Sequence, residues 1–315
     1  MNSPGKVSLF ISLNLFLMFY GTPLLSQGTA ATDIDKLMEG AIDFHVHSAP
    51  DVNAGSMNDF EVAELASKRH FKAIVIKSHV SCTAGRVVLV NLKVENIKVF
   101  GGITLNKAVG GINPDAVEVM CKMSPQYGKV VWFPTMDAAF VKQKVGEGLT
   151  VLKDGKLNAE TIQVLKIIAR ENLVLATGHL SPKEILLLVP AAKRIGVNNI
   201  LITHAMSSAP GLSIAQMTEV AKSGAIIELA YVNVLPGTTN SGTKKQLTIN
   251  DMVMAIKQIG AAHFIISSDL GQAGNPLPPH GLQQFVSTFM QKGISADDIK
   301  LMIKTTPAKL LGIDN

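Results

Sequence analysis

An eightfold alternation of short apolar segments with longer amphipathic segments is the feature that most constrains the fold of this chain. The apolar segments are rich in Val, Ile and Leu, and they lie at 41–46, 72–77, 97–103, 129–134, 173–177, 199–203, 225–230 and 263–268. Between them, helical patterns lie at 58–70, 115–123, 159–170, 182–195, 214–222, 249–259 and 282–291. Strands that alternate with helices are typical of βα units around a parallel sheet.

The number of these units favours a closed barrel over an open sheet. Segments such as 73–76 and 200–202 consist only of Ala, Val, Ile and Leu, which is typical of parallel strands that are buried on both faces. An open nucleotide-binding sheet carries a glycine-rich turn after its first strand, but residues 45–50 read HVHSAP. We therefore predict one domain over residues 31–315, a (β/α)8 TIM-type barrel, with an extra C-terminal helix at 296–311.

Residues 1–30 differ from the rest of the chain and are predicted to be a secretory signal peptide. Lys6 precedes a mostly apolar run at 7–20, and small residues at 28–30 provide a cleavage site. The alternative is an uncleaved membrane anchor, but a spanning helix needs about 20 apolar residues. We expect a secreted or periplasmic protein without stable membrane insertion after cleavage.

Composition argues against a nucleic-acid partner. The formal net charge is +5, but the 29 Lys and Arg residues are scattered, and only 5% of residues are aromatic. Nucleic-acid sites cluster basic residues and add aromatic stacking platforms. The two cysteines, Cys82 and Cys121, are too few for a disulfide framework, and we expect two unpaired, semi-buried thiols. A homo-oligomer is compatible with all of these features.

Metal-ligating side chains stand at the carboxyl ends of four predicted strands, where the active sites of such barrels form. They are His45 and His47 at the end of the first strand, His179 after the fifth, His204 after the sixth and Asp269 after the eighth. Because alternate residues of a strand share a face, His45 and His47 should project together, with Asp43 one step deeper on the same side. Four imidazoles and a carboxylate at one rim predict a divalent metal site, with Zn²⁺ favoured.

This order of ligands resembles the amidohydrolase superfamily of metal-dependent barrels. The resemblance runs from about Ile42 to the closing segment at 306–312, TPAKLLG, and the stretches TGHLS at 177–181 and SDLGQ at 268–272 resemble a branch of predicted hydrolases. It implies that Asp269 is a metal ligand or a near neighbour of the metal and also the general base. By the same resemblance the metal ligands are His45, His47, His179 and His204.

The end of the fourth strand departs from the superfamily members that hold two metals. Those members place a carboxylated lysine or a glutamate there as a bridging ligand, whereas residues 132–137 of this chain read WFPTMD. Asp137 would take that place only if the strand ran farther than its apolar pattern predicts. A site with one metal is therefore favoured, and a site with two metals is the alternative.

The second strand ends in a further polar pair, Lys77 and His79, which should also face the barrel mouth. Lys77 would bind a substrate anion or, if carboxylated, bridge two metals, while His79 would position the substrate or add a ligand. The structural alternative is an ion pair of Lys77 with Asp43 or Glu228. Glu228 itself would serve either in structural pairing or in substrate contact. We assign no catalytic role to the remaining histidines, which are His70, His263 and His280.

These residues predict an exported metal-dependent hydrolase of a small molecule. Water would attack a carbonyl group of an amide, a lactone or an ester, with Asp269 taking the proton of the water and returning it to the leaving group. A phosphoester is the alternative substrate at the same site, with phosphorus as the atom that water attacks. Two further alternatives are a decarboxylase or isomerase of the same superfamily and a non-catalytic barrel that binds a metal or a solute.

Overall fold

Eight parallel strands form the centre of the molecule in a computed structural model, which describes Met1 and residues 27–143, 147–236 and 247–313. Each strand pairs with the next one in chain order. They are β1 Ile42–Val46, β2 Ala73–Ile76, β3 Lys98–Thr104, β4 Gly128–Trp132, β5 Val174–Ala176, β6 Asn199–Ile202, β7 Ile226–Ala230 and β8 Phe264–Ser267. All eight predicted strands are confirmed, with ends that differ by no more than two residues.

The barrel closes above the ends of β1 and β8. The amide of Asp269 donates to the carbonyl of His45 at 2.8 Å, and the amide of His47 donates to the carbonyl of Leu270 at 2.8 Å. These two bonds continue the parallel ladder past the last residue of β8. The chain is therefore a nearly closed (β/α)8 barrel of a single domain, as predicted, and its closing seam contains three of the predicted metal ligands.

Helices connect the strands around the outside of the barrel. Capping boxes begin several of them, such as those of Asn58 with Glu61 and of Ser181 with Glu184. The longer helices are α1 Gln27–Met38, α2 Asp59–Lys68, α3 Ala84–Lys93, α4 Pro114–Met123, α5 Ala159–Arg170, α6 Pro182–Ile195, α7 Ile214–Lys222, α8 Ile249–Ile259 and α9 Pro278–Gln291.

The predicted C-terminal helix at 296–311 is present but is not one regular helix. It consists of an α-helical turn at Ala296–Lys300, a π-helical segment at Leu301–Thr305 and a second α-helical segment at Thr306–Leu311. Pro307 has no amide hydrogen, so the carbonyl four residues before it loses its regular helical donor. The widened π-helical turn lies just before this proline.

Apolar side chains fill the inside of the barrel and separate it from the outer layer. The inner cluster includes Val75 from β2 and Trp132 from β4, and residues of the C-terminal segment close its lower end. A larger cluster lies between the outside of the sheet and the helices. Because inner positions alternate along β2, Lys77 lies on the same inner face as Val75, at the top of the filled core.

The alternation of side chains is broken within β1. Ile42 and Phe44 both belong to the inner cluster, yet His45 and His47 also face inward, and the pairing with β2 shifts register between Asp43 and Val46. Asp43 instead accepts hydrogen bonds from the amides of Ser268 at 2.9 Å and His45 at 3.3 Å. The prediction that Asp43 shares the face of the two histidines is therefore wrong, because the local irregularity reverses the period of two.

The connection after β4 contains a short hairpin. Two short antiparallel strands pair at Leu152–Lys153 and Lys156–Leu157, and a short helix at Ala139–Lys142 precedes them. Cys82 and Cys121 are free and partly buried, as expected.

The predicted signal peptide lies largely outside the described residues, which begin again at Gln27 after Met1, so it stays a prediction. Within the part of the chain that the structure describes, no helix has the length and apolar character needed to cross a membrane.

Candidate metal centre

A polar cavity of about 220 Å³ opens at the carboxyl ends of the barrel strands. All seven predicted site residues line it, although they come from five different strand ends. They are His45, His47, Lys77, His79, His179, His204 and Asp269. The rest of its described wall is mostly small or polar, with Thr135, Met136, Ser207, Ser208, Ala209, Asn233 and Gln272.

The closing seam of the barrel brings three ligand atoms together. The Oδ1 atom of Asp269 lies 3.1 Å from Nε2 of His45 and 3.1 Å from Nε2 of His47. All three residues are buried, and each offers one atom within 4.8 Å of the others. Two nitrogen ligands and a carboxylate oxygen at this spacing form a donor set that suits a divalent metal.

A second pair of imidazoles stands beside this group. The Nε2 atoms of His179 and His204 lie 3.1 Å apart, and the ring of His204 stacks on that of His45 with a centroid distance of 6.1 Å. The hydroxyl of Ser207 donates to the carbonyl of Ala209 at 2.6 Å, so it accepts from Nδ1–H of His204 at 2.8 Å. This hydrogen bond leaves the Nε2 atom of neutral His204 unprotonated and able to bind a metal.

Glu228 orients His45 from outside the cavity. Its Oε1 atom accepts from Nδ1–H of His45 at 3.1 Å and from the hydroxyl of Ser267 at 2.6 Å, and its Oε2 atom accepts from the amide of His204 at 2.9 Å. Burial opposes ionisation, but His45 and these hydrogen bonds hold the pKa of Glu228 below its ordinary value. Of the two roles predicted for Glu228, the geometry shows structural pairing, in the carboxylate–histidine arrangement typical of metal sites.

The geometry at His45 requires a cation between two acceptors. With Nδ1–H directed at Glu228, the Nε2 lone pair of neutral His45 faces the Asp269 carboxylate, and Nε2 has no hydrogen-bond partner among the described residues. Burial disfavours a charged imidazole, but Asp269 and Glu228 together raise the pKa of His45, so a proton can occupy this position. A divalent metal would satisfy the same requirement and would also engage His47, so the residues present fit a metal.

The other candidate ligands are in the protonation states that bind a metal. Burial, together with Lys77, lowers the pKa of His47 to about 4, and burial with the neighbouring His204 lowers the pKa of His179 well below its ordinary value. Burial opposes the ionised form of Asp269, but His45 and His47 hold its pKa well below the ordinary range. Neutral imidazoles and an ionised carboxylate are the forms that bind metals.

Two of the candidate ligands have a left-handed backbone conformation. Asp269 has a φ of 50° and His204 a φ of 27°, in a region that residues with side chains seldom adopt. Gly271 lies two residues after Asp269 and has a φ of 125°. A glycine is needed there because a Cβ atom would overlap the carbonyl oxygen of His47. Strain of this kind costs on the order of 1–3 kcal/mol per residue and clusters at functional sites.

Lys77 lies in the cavity and has no acidic partner among the described residues. It is 3% exposed, and its Nζ atom lies 5.8 Å from the centre of the Trp132 ring. It forms no ion pair with Asp43 or Glu228, so the structural alternative predicted for Lys77 is not observed. Burial lowers the pKa of Lys77, although the carboxylates of Asp269 and Glu228 oppose this effect.

His79 is held by Asp51, a residue that the sequence patterns did not identify. The Oδ2 atom of Asp51 accepts from Nδ1–H of His79 at 2.9 Å and from its amide at 2.9 Å. The ring of His79 also stacks on that of His47, with centroids 3.8 Å apart. With Nδ1 engaged, Nε2 is the ring nitrogen of His79 that remains for a ligand or a substrate.

No candidate bridging ligand follows β4 among the described residues of the cavity wall. The strand ends at Trp132, and Asp137 lies outside the wall, where it accepts from the amide of Lys107 at 2.9 Å and lies 3.5 Å from Nζ of Lys142. Trp132 instead fills the inner face of β4, beneath Lys77. The other described histidines do not line the cavity, as expected for His70, His263 and His280.

A family model matches more than half of the chain. It describes a family of unknown function, DUF6282, and it covers residues 40–228, which include the four candidate histidine ligands, Lys77 and Glu228. No curated protein matches the sequence at a significant level.

Solved structures of low sequence identity share the fold over most of its length. The amidohydrolase of Pseudomonas aeruginosa is 11% identical, with a TM-score of 0.60 over 89% of this chain and 97% of that one. The organophosphorus hydrolase of Deinococcus radiodurans is 15% identical, with a TM-score of 0.54 over 89% and 94%. The dihydroorotase of Campylobacter jejuni is 11% identical, with a TM-score of 0.55 over 88% and 84%. The resemblance to amidohydrolases is thus confirmed at the level of the fold.

Proposed function

The chain belongs to DUF6282, a family of unknown function, and from its site we propose that it is an exported metal-dependent hydrolase of small molecules. Its reaction is the attack of water on the carbonyl group of an amide, a lactone or an ester. One observation carries this proposal. At the mouth of the barrel, Oδ1 of Asp269 lies 3.1 Å from Nε2 of His45 and 3.1 Å from Nε2 of His47.

The ligand set would hold a divalent metal, with Zn²⁺ favoured because nitrogen ligands outnumber oxygen ligands. A bound divalent metal supplies Lewis-acid chemistry, because it polarises the electrophile and lowers the pKa of water toward neutrality. The residues that would hold it are His45, His47, His179, His204 and Asp269.

Asp269 is the proposed general base. Its carboxylate is ionised at neutral pH, since His45 and His47 hold its pKa well below the ordinary value, and it lies in the wall of the cavity. It can therefore accept a proton from the attacking water and return it to the leaving group. Because both ligand histidines contact the same oxygen, Oδ1, the second oxygen is the one available for this transfer.

One metal is favoured over two. The inner face at the end of β4, where a bridging group would stand, is filled by Trp132, and a buried cation, Lys77, lies above its ring. A second divalent ion would have to share the cavity with that ammonium group, which costs electrostatic energy at short range in a buried site. We propose that His179 and His204 complete the coordination of the same metal.

A phosphoester is the second candidate substrate. The structural similarity to an organophosphorus hydrolase favours it, whereas the similarity to an amidohydrolase and a dihydroorotase favours the carbonyl substrates. The proposed site would polarise a phosphoryl oxygen by the same chemistry as a carbonyl oxygen.

Export rests on the N-terminal sequence alone. The apolar run at 7–20 and the small residues at 28–30 support a signal peptide that is removed near Ala31. N-terminal sequencing of protein recovered from its native host tests this proposal. A mature chain that begins near Ala31 outside the cytoplasm is expected, whereas an intact Met1 in a membrane fraction contradicts it.

A metal analysis joined to a substrate panel tests the proposed reaction. The purified protein is analysed for metal, stripped with a chelator, reloaded with Zn²⁺ and assayed on lactones, esters, amides and phosphoesters. We expect hydrolysis that disappears on stripping and returns with the metal. Products that show loss of CO₂ or rearrangement without addition of water would indicate a decarboxylase or isomerase instead. Tight metal binding without turnover of any substrate would indicate a binding protein.

A further inference from the structure

Lys77 is the one lysine or arginine in the described wall of the cavity. The other charged or ionisable residues there are the five candidate metal ligands and His79. Lysine is almost never fully buried unless it is paired, because the removal of its charge from water is costly. A lysine that is 3% exposed at the mouth of the barrel therefore needs a partner.

Among the described residues, the ammonium group of Lys77 has only a weak partner. The ammonium group of Lys77 forms no hydrogen bond and no ion pair with the residues that the structure describes, and its contact with the protein is the cation–π contact with Trp132 at 5.8 Å. That distance is near the outer limit of about 6 Å for such contacts. The indole face therefore supports the ammonium group from below, while no described carboxylate is in contact with it.

The nearby acids are committed elsewhere. Glu228 accepts three hydrogen bonds at 3.1, 2.6 and 2.9 Å, and turning it toward Lys77 would leave buried donors unpaired. Asp51 accepts from the amides of Val52 and His79 and from the ring of His79, at 2.7 to 2.9 Å. Asp269 faces His45 and His47. None of the three can move to neutralise Lys77 without breaking these contacts.

We propose that Lys77 binds a carboxylate group of the substrate. This inference rests on the proposed function and defines its substrate class as small lactones, esters or amides that carry a carboxylate. A monoanion is favoured over a phosphate dianion, because one ammonium group stands among the carboxylates of Asp51, Glu228 and Asp269. The ammonium group and the carboxylate form a charge-assisted hydrogen bond, which is about twice as strong as a neutral one.

The size of the cavity places the carboxylate close to the bond that is hydrolysed. A volume of about 220 Å³ lies below the range of roughly 300–1,000 Å³ that is typical of pockets for drug-sized ligands. Lys77 and the candidate metal ligands line this same small space. A single small substrate must therefore contact both, so its carboxylate and its reacting carbonyl group lie only a few bonds apart.

Acetate and acetamide are the matched probes for the test. Calorimetry on the Zn²⁺-loaded protein gives the ratio of their affinities, which reports on recognition of the carboxylate charge without any turnover. The variants are Lys77→Met and Lys77→Gln. The control is Lys98→Met, because Lys98 is exposed at the amino end of β3, away from the cavity. We expect the ratio to fall by at least about tenfold in both Lys77 variants, with unchanged metal content, and to stay the same in the control.

An unchanged ratio in the Lys77 variants would overturn the inference. So would a carbamate signal on Lys77 in ¹³C spectra of protein equilibrated with labelled bicarbonate, because a carboxylated lysine bears a negative charge. Inorganic phosphate that binds through Lys77 more tightly than acetate would overturn the choice of a carboxylate. If the ratio falls as expected but no substrate of the panel is hydrolysed, the proposed function fails and the anion site stands.

Discussion

Replacement of Glu228 by glutamine tests how the metal site is oriented. Glu228 is 0% exposed and accepts three hydrogen bonds, from the ring of His45, the hydroxyl of Ser267 and the amide of His204. Glutamine has the same shape but only one acceptor oxygen, and its NH₂ group is a donor. If NH₂ replaces Oε2, it meets the amide of His204. If NH₂ replaces Oε1, it meets Nδ1–H of His45 and forces that proton onto Nε2.

Both orientations have a measurable cost. An unpaired buried donor destabilises the fold by about 1–3 kcal/mol. Loss of the partner that orients a metal-binding histidine weakens metal affinity by roughly 10- to 100-fold. We therefore expect Glu228→Gln to unfold at a lower denaturant concentration and to release Zn²⁺ to a weaker chelator than the wild-type protein does.

Two measurements check this prediction together. Competition with a chromogenic chelator gives the Kd for Zn²⁺, and urea titration of the metal-free protein gives the free energy of unfolding. Glu219→Gln is the control, because Glu219 is exposed on α7 and undergoes the same change of group. Metal affinity and stability equal to those of the control would refute the orienting role of Glu228.

Three further predictions concern residues around the site. His47→Ala should strip the metal, whereas His70→Ala should retain it, and normal metal content in His47→Ala by mass spectrometry would count against the ligand assignment. Asp51→Asn should keep the metal but lower kcat/KM by about tenfold, because it weakens the charge-assisted bond that holds His79, and unchanged kinetics would remove Asp51 from the site. Burial raises the pKa of Asp43 to about 7 from 3.8, so its contribution to stability is present below pH 4 and is lost as the pH rises through 7. Metal-free Asp43→Asn should lack this loss in urea titrations at pH 5 and pH 8, and equal losses in both proteins would contradict the shift.

The ligands at the strand ends were predictable because they depend on local periodicity. Each barrel strand is a short apolar run, and the polar residues that follow it must lie at the same rim of a parallel barrel. His179, His204 and Asp269 follow their strands by no more than three residues, so errors of one or two residues in the strand ends did not move them from the rim.

Features that depend on local irregularity were not predictable in this way. The period of two placed Asp43 beside His45, but the register shift in β1 directs it to the amide of Ser268 instead. In the C-terminal segment, helical periodicity predicted one helix and did not locate the π-helical turn before Pro307.

Contacts between distant parts of the chain left no pattern in the sequence. Glu228 stood out as an acid within an apolar strand, but its partner His45 is 183 residues away, so pairing and substrate contact could not be distinguished. Asp51 lies in a connecting segment without periodicity, and only the fold brings it to His79. Its closeness in sequence to His45 and His47 was the one signal that could have identified this carboxylate.

The turnover of Asp269→Asn, compared with wild type at equal metal content, tests the central claim most directly. Asparagine keeps the shape of the side chain but cannot accept the proton of the attacking water, while the four histidines retain much of the metal. We predict a turnover lower by about two to four orders of magnitude, and a pH–rate profile that loses its acidic limb. Near wild-type turnover with full metal would contradict the proposed mechanism.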